Sequence, residues 1–142
     1  MASVETPSLE LEWLPGRFAV CRLDANEELP PWAARIVTGA AATPGLVCVA
    51  RTEKELSIVI DEALLPPSVA STMPVQRGFA AMRIVGTLDF ALVGVLSRLT
   101  AALAAANISV FVISTFDTDI ILVRDADRQR AAPALRGVAT FI

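Results

Sequence analysis

Asp117 and Asp119 stand one residue apart in the segment Ser114-Thr115-Phe116-Asp117-Thr118-Asp119. In an extended chain alternate side chains share a side, and two carboxylates gathered there can bind a cation or share a proton. A polar segment of this kind between two apolar runs also makes a turn, in which Asp117 would accept hydrogen bonds from neighbouring backbone amides. The turn is the simpler expectation, because little else in the residue inventory supports catalysis. The 142 residues include no histidine and no tyrosine, and the one lysine, Lys54, falls in the charged turn Arg51-Thr52-Glu53-Lys54-Glu55. A histidine-based triad, a histidine-ligated metal site and a Schiff-base lysine elsewhere in the chain are thereby excluded. Carboxylates, serines and cysteines remain, and neither enzyme activity nor a metal or cofactor is expected.

Gly94 is the second position of interest. From Phe90 to Ala106 the apolar residues Leu92, Val95, Leu96, Leu99 and Leu103 recur at spacings of three and four, which predicts a helix. A glycine early in a helix costs about 1 kcal/mol relative to alanine, so something close to its backbone should require it. An anion such as a ligand carboxylate would suit the free amides of a first helical turn, and close packing of helix on sheet would suit equally. Gly86 and Gly94 lack the spacing of a dinucleotide fingerprint. Asp89 can cap the start of this helix, and Asn107 can take the left-handed position beyond its end.

The elements that must position these residues follow from the flanking pattern. Phe79 to Gly86 reads as a strand closing at a glycine, and Ile108 to Ile113 with Ile120 to Val123 as a hairpin. Asp125 offers the cap of a second helix running to Arg136, with Gly137 as its stop and Val138 to Ile142 as a last strand. Pro133 should kink or break that helix. The order strand, helix, strand, strand, helix, strand is a split βαβ arrangement, an α+β fold with an antiparallel sheet and both helices on one face.

Gly94-Val95-Leu96-Ser97 with Leu103 and Asn107-Ile108-Ser109 resembles the first helix and second strand of an ACT domain, a small ligand-binding regulatory module. The run from Ile113 through Asp119 to Val123 more specifically resembles the ACT-type domains of small bacterial proteins related to the CASTOR arginine sensors. The resemblance covers residues 77–142 strongly and continues more weakly over residues 9–76. It implies a ferredoxin-like βαββαβ ACT domain at residues 77–142, preceded by a degenerate ACT-like half at residues 1–66 and a connector at residues 67–76. It also implies a non-catalytic amino-acid-binding protein. On that resemblance Val93, Gly94 and Val95 match a main-chain clamp for the ligand's amino and carboxylate groups. Thr115 and Phe116 match a wall, Asp119 matches an acid facing a basic side chain, and Asp89 is a further candidate for the α-ammonium group. The alternative is an ACT-like assembly module with no ligand site.

The rest of the chain is consistent with a small two-part protein. Leu9, Leu11 and Trp13 alternate with Glu10 and Glu12, predicting a half-exposed strand that turns at Pro15-Gly16 into a hairpin with Phe18 to Leu23. Pro31 to Arg35 can start a short helix, and Leu46 to Ala50 with Leu56 to Ile60 makes another hairpin. Pro66-Pro67 to Pro74 reads as the connector. Cys21 and Cys48 lie within strand-like runs and are expected to be free and apolar in character. Met1 to Glu12 carries three glutamates and no apolar block, matching no secretory or transit signal, so a cytoplasmic protein is expected. No apolar run reaches the roughly 18 residues a membrane span needs. Acidic overall balance and scattered basic residues argue against nucleic acid. Apolar residues make up 54% of the chain, more than one small core requires, and with the side-by-side habit of ACT domains this points to a homodimer.

Overall fold

A computed structural model describes residues 9–40, 45–86 and 93–142. Contacts gather the chain into two compact units, one formed by Pro15–Phe79 and the other by Ala80–Ile142 together with residues 9–14. The N-terminal strand β1 (Leu9–Trp13) therefore belongs with the C-terminal part of the chain, whereas the sequence places it in the N-terminal half.

The unit of Pro15–Phe79 contains β2 (Phe18–Asp24), the short helix α1 (Pro31–Val37), β3 (Val47–Arg51), β4 (Glu55–Asp61) and the first part of β5 (Val75–Ile84). Its strands lie in the order β3, β4, β2, β5, all antiparallel. Pro31 starts α1, where a missing amide hydrogen costs nothing, and Ala33 and Ile36 turn inward. They meet Cys21, Leu23, Leu56, Ile58 and Ile60, which alternate along β2 and β4 as a sheet with one covered face requires. Where a second long helix would follow β4 there are only the 3-10 turns Glu62–Leu64 and Val69–Ser71. The proline-rich connector is thus ordered, and Val69 is buried within it.

In the other unit β5 continues, followed by α2 (Val95–Ala105), β6 (Val110–Ser114), β7 (Asp119–Arg124), α3 (Arg128–Ala134) and β8 (Ala139–Phe141). Strand order is β6, β7, β5, β1, β8. The expected β1–β2 hairpin does not form. Instead β1 runs antiparallel to β5, with Leu11 opposite Ile84, and parallel to β8, with Leu9 opposite Ala139. Glu12 and Arg83 are register partners and pair as ions, Arg83 donating through Nε and Nη2 to Glu12 Oε1. Both helices bury their apolar residues in one cluster, Leu99 and Leu103 from α2, Ala131 from α3 and Leu135 just beyond its end, against Ala80, Met82, Ile84, Ile121, Val123 and Leu11 of the sheet. Val95, Leu96, Val110 and Val112 flank it and Ile108 is buried in it. Leu92 and Phe90 lie outside the described residues.

Three expected details differ. α2 begins at Val95, with Gly94 as the residue before it, and ends as expected with Asn107 at φ 58°. Asp125 opens a 3-10 turn, Asp125–Asp127, and α3 follows from Arg128; Asp127 directs its carboxylate to Arg130 Nη1 at 2.6 Å and caps no amide. Pro133 sits in the last turn of α3 and does not break it, because only one helical residue follows. Gly137, at φ 83°, then reverses the chain.

Candidate functional site

The β6–β7 hairpin is closed by hydroxyl groups. Thr115 donates to Thr118 O from its amide at 2.8 Å and from Oγ1 at 3.0 Å, while the Thr118 amide donates to Thr115 Oγ1 at 3.2 Å. Phe116 and Asp117 form the two-residue loop between them. Asp117 is therefore a turn residue, but Thr115 supplies the acceptor that the sequence assigns to Asp117. With Asp117 in the loop and Asp119 opening β7, the two carboxylates do not lie on one extended segment. Among the described residues no group of His, Cys, Asp and Glu could hold a metal ion.

Asp119 is half-buried and accepts from Ser114 Oγ at 2.6 Å. Phe116 is 81% exposed, presenting a flat apolar surface at the tip. Thr118 Oγ1 donates to Ile84 O at 2.8 Å, which ties the turn to the end of β5. Ser114 and Thr118, absent from the residues singled out in the sequence, are thus the ones that fix Asp119 and the turn. A serine and threonines clustered at hairpin ends are the signal, since short hydroxyl side chains bond backbone groups locally.

Gly94 has φ 81° and, among the described residues, no side chain caps the amides that follow it; Arg98 N donates to Gly94 O at 3.0 Å. A Cβ on Gly94 would meet no described atom within 4 Å, so close packing is not what requires the glycine. Its positive φ is. Val93 is 93% exposed, Gly94 is exposed and Val95 leans on the core. Val93, Gly94 and Val95 are thus consecutive at the start of α2, and Thr115, Phe116 and Asp119 share one hairpin turn. Asp89 lies outside the described residues.

Residues 75–137 match the ACT domain family model, and a second model, described as an N-terminal domain, matches residues 16–67. The fold and this match mark residues 75–137 as an ACT domain. The crystal structure of protein Atu0741 from Agobacterium tumefaciens is 30% identical, with 96% of this chain and 94% of that one covered at a TM-score of 0.80. The chain belongs to the same family as that protein. Two more distant structures share the fold. Aspartate kinase from Clostridium acetobutylicum, described as an allosteric enzyme, is 13% identical, with 96% of this chain and 37% of that one covered at a TM-score of 0.69. The ligand-free regulatory subunit of aspartate kinase from Thermus thermophilus is 9% identical, with 87% and 93% covered at 0.60. Among functionally curated proteins none matches. No described helix is long and apolar enough to cross a membrane.

Proposed function

We propose that the protein is a non-catalytic amino-acid-binding regulatory module, with the ligand held by the start of α2 and the β6–β7 turn. The carrying observation is the ACT domain at residues 75–137 with an exposed helix start at Gly94 whose amides no described side chain caps. Amide groups of a first helical turn lack partners within the helix, and together with the helix dipole they favour a carboxylate. Val93, Gly94 and Val95 supply that backbone clamp. Phe116 and Thr115 form a wall, Asp119 faces a cationic side chain, and Asp89 serves the α-ammonium group. The resemblance to the arginine-sensing family supports a basic ligand.

Counting β2 to β5 and β5 to β8 as two sets, each has its second strand at the edge, the third beside it and then the first; the fourth follows directly in one set and is separated by β1 in the other. This supports a degenerate ACT-like half before a complete one. The exposure of Phe111 on β6, which among the described residues pairs only with β7, together with that of Val93, favours a homodimer and also the reading in which the domain serves assembly alone.

A thermal melt screen against the twenty amino acids tests the proposal. A ligand at 100 times its dissociation constant stabilises the native state by about 2.7 kcal/mol, a shift readily seen in a small protein. Arginine or lysine should raise the melting temperature most. A flat response to all twenty would leave the assembly reading.

A further inference from the structure

The proposed site draws on two separate stretches of chain, the start of α2 and the β6–β7 turn, and one side chain ties the turn to the frame that carries the helix. Thr118 Oγ1 donates to Ile84 O at 2.8 Å. The acceptor end of this bond is a fixed point. Ile84 is 1% exposed and shares a cluster with Leu99 and Leu103 of α2, and the amide that follows its carbonyl, Val85 N, donates to Glu10 O at 2.8 Å. A side chain packed at the density of a protein interior does not shift without its neighbours, so Ile84 O stands at a set place relative to α2.

The donor end belongs to the turn. Thr118 O accepts from the Thr115 amide and hydroxyl, and the Thr118 amide donates back to Thr115 Oγ1. The next residue, Asp119, forms the last rung of the ladder with Ser114 and accepts from its Oγ. Thr118 therefore stands just past the point where strand pairing holds the hairpin, and there the bond to Ile84 O supplies the anchor. Branching at Cβ restricts the rotamers of a threonine, which keeps the hydroxyl aimed at its acceptor.

From these contacts we infer that Thr118 is a positioning residue that sets ligand specificity. By anchoring the turn to Ile84 it fixes the separation between the backbone clamp of Val93, Gly94 and Val95 and the carboxylate of Asp119. That separation selects the length of side chain with which a cationic amino acid reaches both. The inference rests on the reading of these residues as an amino-acid site and adds to it what gauges the ligand. A ligand gripped at both ends by a rigid frame tolerates little change of length, one methylene in a fitted site being worth about tenfold or more, whereas a turn released from β5 can follow ligands of different length.

The test is calorimetric titration of the full chain with L-α,γ-diaminobutyrate, L-ornithine and L-lysine, whose side-chain amines differ only in the number of methylenes that carry them. In the wild-type protein one length should bind best and its neighbours about tenfold or more weakly. Thr118→Val and Thr118→Ala both remove the donor, and in both the spread across the three ligands should fall to about threefold or less, while Thr118→Ser keeps the donor and the preference. A threonine that served only the stability of the hairpin would behave differently. Its replacement would weaken all three ligands by one factor or leave them unchanged, and either result in the valine and alanine variants overturns the inference, as does loss of the preference in Thr118→Ser. Binding of all three to the wild-type protein within about threefold overturns it without any variant and leaves the amino-acid site in place. Saturable heat from none of the three in wild type overturns the reading of the site itself, and the gauge with it.

Discussion

Ser114 Oγ donates to Asp119 Oδ1 at 2.6 Å, joining two residues that face each other on the last rung of the β6–β7 ladder. The bond holds one carboxylate oxygen at the mouth of the turn, and in the proposed site the other oxygen would meet the ligand. Asp119→Ala should weaken a cationic amino acid by about ten- to a hundred-fold, the loss of one charge-assisted hydrogen bond worth roughly 1.5 to 3 kcal/mol. Phe116→Ala should weaken every amino acid alike, because it removes wall area and not charge recognition. If Asp119 serves only the hairpin, its alanine variant lowers the melting temperature and leaves ligand preference untouched. Calorimetric titration of both variants with arginine and leucine separates these outcomes.

Thr118 reaches from the turn to Ile84 O, thirty-four residues earlier in the chain. Thr118→Val keeps the shape and removes the donor, so it should cost about 1 kcal/mol of stability, the net worth of one such bond. Urea unfolding measures this. A midpoint equal to wild type would show that the turn does not depend on β5.

At Gly94 the sequence and the structure predict opposite signs. A glycine within a helix would be improved by alanine; a residue at φ 81° preceding one is strained by it. Gly94→Ala should destabilise by roughly 1 to 2 kcal/mol, since the space for a Cβ is open and only the backbone conformation objects. Equilibrium urea unfolding gives the sign directly, and stabilisation would contradict the geometry.

Cys21 is buried and free, and burial pushes its thiol above the ordinary value of 9.0, with Arg77 pulling weakly the other way. The unfolded chain therefore loses this proton before the folded one does. Stability from this group is complete below pH 9.0 and declines as pH rises from there through the folded-state value, by at most about 1.4 kcal/mol per pH unit. Cys21→Ala should cost most stability below pH 9.0, and its deficit relative to wild type should shrink as pH rises from there, because the variant lacks that component of the alkaline slope. Parallel urea midpoints in wild type and variant from about pH 8 to 10.5 would contradict the assignment.

Local pattern made much of the fold legible. Leu99 and Leu103 at helical spacing, the β-branched runs of β6 and β7, and the stops at Asn107 and Gly137 all carry their structure within a few residues. The partner of β1 was not legible. Alternation of Leu9, Leu11 and Trp13 with glutamates marks a half-buried strand but not which strand receives it, and Pro15-Gly16 suggested the nearest one. Its neighbours β5 and β8 lie about seventy and one hundred and thirty residues away in register, as Leu11 to Ile84 and Leu9 to Ala139 show. The helix start was misplaced because apolar spacing continues through Gly94 although its backbone is left-handed. Around the turn, Asp119 and Phe116 could be picked out from residue type, while Ser114 and Thr118 act through contacts that only folding creates.

Calorimetric titration of the wild-type protein with L-arginine, L-lysine and L-leucine tests the amino-acid-binding account most directly. Arginine and lysine should bind with saturable heats, and leucine about ten- to a hundred-fold more weakly, since it offers Asp119 no cation. No saturable heat from any of the three at roughly millimolar ligand, a level at which even a binding free energy near 4 kcal/mol would be visible, would contradict it.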